Sequence, residues 1–174
     1  MWFRSIRDET IVSHILIGHF YDDDKVKEIF LYMKSKIIQM SETTEKYDRS
    51  MKDTFESKNV KGESPVFFAL WNVDLLDFYL KECCPSGVNV LEDRTNDGKT
   101  IAHYIAKERH FVELLDYVVE RVSNAPQIFR CRDNENISAL DLLKHREKPH
   151  NKYHDIYLKK AWMYCNMKHN VYFT

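Results

Sequence analysis

The sequence predicts an all-α protein, an array of short helix-turn-helix repeats with atypical capping units at both ends. Two observations predict this class. A helical segment with one apolar side recurs along the chain, and the recurring segments are preceded by glycine-containing turns. At 174 residues, the chain has room for one short array, so we expect a single domain over residues 1–174.

The recurring helix is clearest in two copies. Residues 73–80, VDLLDFYL, return 39 positions later as residues 112–119, VELLDYVV. A weaker copy, EIFLYM at residues 28–33, keeps the acidic, apolar and aromatic positions in register. Leu75, Leu76 and Tyr79 lie at helical spacing, as do Leu114, Leu115 and Val118, so each copy predicts a helix with one apolar side. Such helices need neighbours to cover that side.

A turn followed by another helix precedes the two clear copies. The segments are GESPVFFA at residues 62–69 and GKTIAHYIA at residues 98–106. Ser64 and Thr100 are suited to cap the following helix, and Pro65 stands at a first helical position, where its missing N–H costs nothing. The repeating unit is therefore predicted to be turn, helix, short turn, helix.

These residues resemble the ankyrin repeat, in which a glycine is followed by Thr-Pro-Leu-His, a variable residue and Ala. The matching positions are Gly98, Thr100, His103 and Ala106 in one unit, and Gly62, Ser64, Pro65 and Ala69 in another, where Phe67 replaces the histidine. A further degenerate unit, DNENISALDLL, begins at Asp133. The resemblance implies that His103 is an internal hydrogen-bonding residue that links neighbouring units, a place that His14 fills in a first unit.

The unit boundaries follow from these matches. We expect a first degenerate unit at residues 1–40, a polar insertion at 41–59 that forms an enlarged loop or an extra helix, a second unit at 60–90, a third at 91–125, the start of a fourth at 126–148, and a C-terminal capping helix region at 149–174. Pro149 marks the break before that last region.

Composition excludes several classes of function. With 26 basic and 27 acidic side chains interleaved along the chain, no cationic surface for nucleic acid is expected. No apolar stretch approaches the length of a membrane span, and the N-terminus does not resemble a signal peptide. The scattered cysteines resemble no disulfide framework, so we expect reduced thiols and a cytoplasmic or nuclear location, which is the host cell cytoplasm for a viral or bacterial effector.

No catalytic constellation emerges from the motifs. Nucleotide-binding glycine loops and nucleophile elbows are absent, so we predict no enzyme activity, no catalytic residue and no cofactor. A metal site is the weaker alternative, with His145, His150, His154 and Cys165 as its ligands, although no zinc motif accompanies them.

A protein-binding role remains, as a stoichiometric binder, adaptor or inhibitor of an intracellular signalling protein. Short free-standing ankyrin proteins resemble inhibitors of Rel-type transcription factors and viral or bacterial host-interaction factors. The resemblance implies a concave strip made by the turn residues and the ends of the first helices. The partner-binding candidates are Val60, Lys61, Glu63, Trp71, Asn72, Asn96, Asp97, Lys99, Lys107, Glu108, Asn134, Glu135, Ile137, His145 and Arg146.

Two questions stay open at this point. Trp71 is either an exposed hot spot for a partner or a core residue turned inward by a shortened turn. The array is either a module that binds a different protein or a homo-oligomeric structural protein whose ends pair with another copy.

Overall fold

The computed structural model describes residues 10–18, 22–70, 73–107, 111–122 and 125–145, with Lys159 and Met163. Within these ranges the regular structure is helical, and pairing of extended backbone is limited to two isolated bridges, Arg94 with Thr100 and Arg132 with Ser138. The all-α prediction is therefore confirmed for the described part of the chain.

The chain divides into two compact units, Met1–Val90 and Leu91–Thr174. The first unit contains α1 (Ile11–Gly18), α2 (Asp23–Met40), α3 (Thr44–Phe55), a 3₁₀ turn at Pro65–Phe68 and α4 (Val73–Glu82). A 3₁₀ helix at Gly87–Glu92 spans the division, and the second unit continues with α5 (Ile101–Ile105), α6 (Phe111–Arg121), α7 (Ala125–Arg130) and α8 (Ala139–His145). The predicted single array and its internal boundaries remain a prediction.

An aromatic cluster forms the core of the first unit. The ring of Phe30 on α2 lies edge-on to Phe55 of α3 with centroids 5.7 Å apart, and it lies 5.8 Å from the ring of Tyr79 on α4. All three side chains are fully buried, and the hydroxyl of Tyr79 donates to the carbonyl oxygen of Phe55. Three helices are thus held together by one cluster that has its buried hydroxyl satisfied.

The polar insertion proves to contain a helix. Thr43 caps α3 by accepting from the backbone amide of Lys46 at 3.2 Å, and Met51, Thr54 and Phe55 are the buried residues of this helix. Of the two alternatives for residues 41–59, an enlarged loop or an extra helix, the structure has the helix.

The predicted register of the recurring helix agrees with burial. Phe30, Leu76 and Leu115 occupy the same position in the three copies, and each is at most 1% exposed. This agreement arises because a helix packed on one side must bury the same position in every copy.

Two local predictions need correction, and one helix was not predicted. The helix expected after Ser64 is a single 3₁₀ turn, with i to i+3 bonds from Phe67 to Ser64 and from Ala69 to Val66. The hydroxyl of Ser64 makes no capping bond, and the described residues offer it no hydrogen-bond partner. Helix α7 had no counterpart in the sequence prediction. The predicted capping helix lies outside the described residues, except Lys159 and Met163, which are both helical.

Candidate partner-binding turns

Three turns with the same backbone hydrogen bonds precede the 3₁₀ turn and helices α5 and α8. We define turn 1 as residues 59–64, turn 2 as residues 95–100 and turn 3 as residues 133–138. In each turn the first residue donates from its amide to the fifth residue's carbonyl, at 3.0, 3.0 and 2.9 Å, and accepts from the fourth at 2.9 Å. The sequences NVKGES, TNDGKT and DNENIS therefore make one backbone structure.

The first residue of each turn also locks it through its side chain. Asn59 Oδ1 accepts from the amides of Lys61 and Glu63 at 2.9 and 3.0 Å. Thr95 Oγ1 accepts from the amide of Lys99 at 3.1 Å, and Asp133 Oδ1 accepts from the amides of residues 135 and 137 at 3.0 Å. Because all three first residues are buried, these short polar side chains serve the turn and not the surface.

The fourth residue of each turn takes a left-handed backbone conformation. Its φ is +76° at Gly62, +76° at Gly98 and +64° at Asn136. Glycine meets no steric penalty there, and asparagine is the residue that tolerates this region best after glycine. This explains how turn 3 keeps the shared geometry without a glycine.

Turns 2 and 3 are joined to each other. The amide of Asn134 donates to the carbonyl oxygen of Asp97 at 2.8 Å, and Asn134 Nδ2 donates to the carbonyl oxygen of Asn96 at 3.1 Å. A Cβ atom added to Gly98 would lie 2.9 Å from Asn134 Oδ1, so the contact also needs the glycine. The tips of the two turns consequently form one ordered surface.

His103 joins the same two turns from the inside. Its Nδ1 accepts from the amide of Thr100 at 3.0 Å within a capping box, and its Nε2 lies 3.0 Å from the carbonyl oxygen of Ile137. A carbonyl can only accept, so Nε2 carries the proton of a neutral ring. Burial lowers the pKa of His103, with the Ile137 carbonyl acting in the opposite direction. These bonds within and between turns are those that the sequence resemblance implies for His103.

The residue that stands three positions after Ser64, Thr100 or Ser138 differs among the three turns. This difference changes the hydrogen bonds at the start of the following helix. Asp141 replaces His103 after turn 3, and its Oδ2 accepts from both the amide and the hydroxyl of Ser138, at 3.1 and 2.8 Å. Phe67 holds the place after turn 1, where it cannot accept a hydrogen bond from Ser64. This difference gives a physical reason for the missing cap and accompanies the short 3₁₀ turn.

The predicted binding residues fall into distinct groups. Side chains exposed at the turn tips are those of Val60, Lys61, Asn96, Asp97, Asn134 and Glu135, and Lys107 is exposed after α5. Lys99 and Ile137 are half-buried, and Lys99 Nζ lies 3.6 Å from Asp97 Oδ2. Glu63 is buried, and its carboxylate accepts from Asn59 Nδ2 at 2.8 Å, so it stabilises turn 1 from within.

Several predicted residues lie outside what the structure describes. These are Trp71, Asn72, Glu108 and Arg146. His145 is described only as the last residue of α8. The alternatives for Trp71, exposed hot spot or core residue, therefore both stay open.

The alternative metal site lies outside the described residues, since His150, His154 and Cys165 are not described and His145 is described only by its place in α8. Within residues 10–18, 22–70, 73–107, 111–122 and 125–145, no three His, Cys, Asp or Glu side chains gather as metal ligands would. Cys83 is buried, and desolvation raises the pKa of its thiol to about 12, which keeps it protonated and unreactive. In the same ranges, no helix is both long and apolar enough to cross a membrane.

Sequence reasoning missed the interior of the turns. Asn59, Thr95 and Asp133 each stand three residues before the left-handed position, and that spacing of a short polar residue is a signal visible in the sequence. The hydrogen bonds of Asn134 to turn 2 had no such signal, because they join residues 37 and 38 positions apart.

Comparison with protein-family models, with curated proteins and with solved structures finds no match to this chain.

Proposed function

We propose that this chain is an ankyrin-like repeat protein that binds another protein through the tips of its turns, and that it acts stoichiometrically as an adaptor or inhibitor and not as an enzyme. One observation carries the proposal. Turns 2 and 3 are fixed to each other by hydrogen bonds while their tip side chains remain exposed. A rigid scaffold that presents exposed side chains at its loops is typical of a recognition surface.

The ankyrin-like arrangement is supported by the repetition of local structure. Each turn is preceded by a fully buried residue four positions before its first residue, namely Phe55, Leu91 or Phe129. Each turn is then followed by a buried cap residue, Ser64, Thr100 or Ser138. Burial and turn geometry thus recur at spacings of 36 and 38 residues, whereas the residue three positions after the cap residue differs in each copy.

The charges of the tips indicate the chemistry of the partner surface. Turns 2 and 3 expose the carboxylate side chains of Asp97 and Glu135 next to the side-chain amide groups of Asn96 and Asn134. Asp97 is balanced in part by Lys99, whereas Glu135 uses only its backbone amide in the hydrogen bonds of turn 3. A partner surface with basic and hydrogen-bond-donating side chains fits this pattern, and specificity would come from complementary pairs. Nucleic acid, which is itself polyanionic, does not fit it.

A capture experiment with matched variants tests this function. We would compare the wild type with an Asp97→Ala, Glu135→Ala variant and with an Asp48→Ala, Glu45→Ala control, which removes two exposed carboxylates from α3. Circular dichroism must first find equal helicity in all three proteins. We expect a cytoplasmic or nuclear partner to be retained by the wild type and the control and lost from the tip variant.

If the tip variant retains the partner as well as the wild type does, the interface lies elsewhere than at these turns. A protein that captures nothing in any form, while turning over a substrate, would contradict the binding function. The homo-oligomeric alternative predicts that the chain itself is the only protein captured.

A further inference from the structure

Helix α2 has an exposed row of side chains spaced four residues apart. The row consists of five exposed residues, Asp24, Glu28, Tyr32, Lys36 and Met40. Its two apolar side chains are widely open to solvent, since Tyr32 is 62% exposed and Met40 is 65% exposed. Residues four apart form a continuous ridge on a helix, and such ridges are what helices use to pack against one another. We call these five residues the α2 ridge.

The exposure is unusual when α2 is compared with the other copies of the recurring helix. Leu31, beside the ridge, is 45% exposed, and its place is held by Asp77 in α4 and Asp116 in α6. Ile38, one row further along, is 54% exposed. Of the three recurring helices, α2 therefore turns apolar side chains toward solvent at a position where the others have a carboxylate.

A groove runs beside the ridge. It has a volume of about 160 Å³, and its walls are almost entirely apolar. The residues that line it are Tyr32, Lys36 and Met40 of the ridge, together with Met33, Ile37 and Thr54. The groove therefore adds apolar surface to the exposed side chains of Tyr32 and Met40.

The charges along the ridge select the direction of such pairing. From the N-terminal to the C-terminal end, the α2 ridge carries two acidic residues, an aromatic residue, a basic residue and a methionine. Among the described residues, neither Glu28 nor Lys36 has an oppositely charged group within 4.0 Å, although the charge of Glu28 contributes to the raised pKa of Lys25. Lys36 Nζ donates to Gln39 Oε1 at 3.1 Å and lies 5.2 Å from the centre of the Tyr32 ring. A two-fold axis at Tyr32 would bring Glu28 of each copy against Lys36 of the other. Parallel pairing would instead oppose like charges.

We propose that a second copy of this chain covers the exposed side of α2, and that two chains form an isologous dimer through their α2 ridges with Tyr32 at the two-fold axis. This surface is additional to the turn tips proposed for the partner. An 18-residue helix is roughly 27 Å long, so one helix pair buries less than a standard interface. We therefore expect a weak, reversible dimer with a Kd on the order of micromolar.

Charge reversal in solution tests the pairing. Sedimentation equilibrium of the full chain would be measured for the wild type, for Lys36→Glu, for Glu28→Lys, and for the double variant. Each single variant places two like-charge pairs in the dimer, so we expect at least tenfold weaker association. The double variant restores both pairs with reversed polarity and should regain dimerisation. An equimolar mixture of the single variants should also regain it, since every cross-pair is then opposite in sign.

The control is Lys52→Glu, which reverses an exposed charge on α3 and should dimerise as the wild type does. Circular dichroism of every variant separates loss of pairing from loss of fold. A wild type that stays monomeric at high concentration would overturn the proposal. So would single variants that dimerise as tightly as the wild type, or a double variant and mixture that fail to regain association. None of these results bears on the turn tips.

Discussion

Substituting Gly98 with alanine tests the junction between turns 2 and 3. The residue has φ +76°, where a side chain costs about 1–2 kcal/mol. The new Cβ would also lie 2.9 Å from Asn134 Oδ1 and 3.4 Å from both the Asn134 amide nitrogen and the Asp133 Cα. Because the only contact below 3.0 Å is with Asn134 Oδ1, the Asn134 side chain must move and its bond to the Asn96 carbonyl weakens, a further loss of about 1 kcal/mol. We expect a total of about 2–3 kcal/mol.

Gly87 provides the matched control. Its φ is +54°, but a Cβ there would have nothing within 4 Å, so Gly87→Ala carries the backbone cost alone. The free energy of unfolding of both variants would be measured by urea denaturation followed by circular dichroism. Removing the Asn134 side chain should bring the cost of Gly98→Ala close to that of Gly87→Ala. Equal destabilisation by the two alanines in the otherwise wild-type chain would refute the reasoning.

Three further outcomes follow from the buried polar groups. Thr100→Ala should destabilise by about 1–2 kcal/mol, since the buried Thr100 hydroxyl has two acceptors within reach, His103 Nδ1 at 2.9 Å and the Ile128 carbonyl oxygen at 3.1 Å. Ser64→Ala should be near neutral in the same urea denaturation, because its hydroxyl has no partner among the described residues. The folded-state pKa of His103 is below its ordinary value of 6.5, so the stability that the neutral ring contributes is complete above pH 6.5 and is lost as the pH falls toward the folded-state pKa. His103→Phe should flatten this part of the curve of unfolding free energy against pH. An unchanged curve would contradict a neutral ring. Cys83 should resist alkylation in the native chain at neutral pH and react after unfolding, as mass spectrometry would reveal; rapid native reaction would contradict its burial.

The parts of the fold that the sequence predicted are those governed by local periodicity. The register of Phe30, Leu76 and Leu115 follows from apolar spacing, which any packed helix must obey. Helix α7 was missed because APQIFR is only six residues long and carries a proline, so it has too little periodicity to stand out. Its burial of Ile128 and Phe129 depends on tertiary neighbours, which a single sequence does not reveal.

In the candidate site, too, the features set by local sequence were predictable and those set by tertiary contacts were not. The left-handed positions at Gly62 and Gly98 were visible as turn signals, and so were the tips beside them. Glu63 was expected at the surface because the resemblance places it among the turn residues of the binding strip, but it is buried, and its hydrogen bond to Asn59 makes burial possible. The pairing of Asn134 with turn 2 could not be predicted, since it depends on how two turns are placed side by side.

The turns separate the residues that fold from the residues that are free to recognise a partner. Asn59, Thr95 and Asp133 differ in chemistry, yet each supplies one buried oxygen that holds the following amides. The geometry therefore depends on an oxygen at one position and a left-handed residue at another, while the positions between them carry no such demand. Lys61 and Glu135 stand at those intermediate positions and are exposed. For the proposed binding function, this means that exposed residues such as Lys61 and Glu135 can vary without changing the fold of the turn.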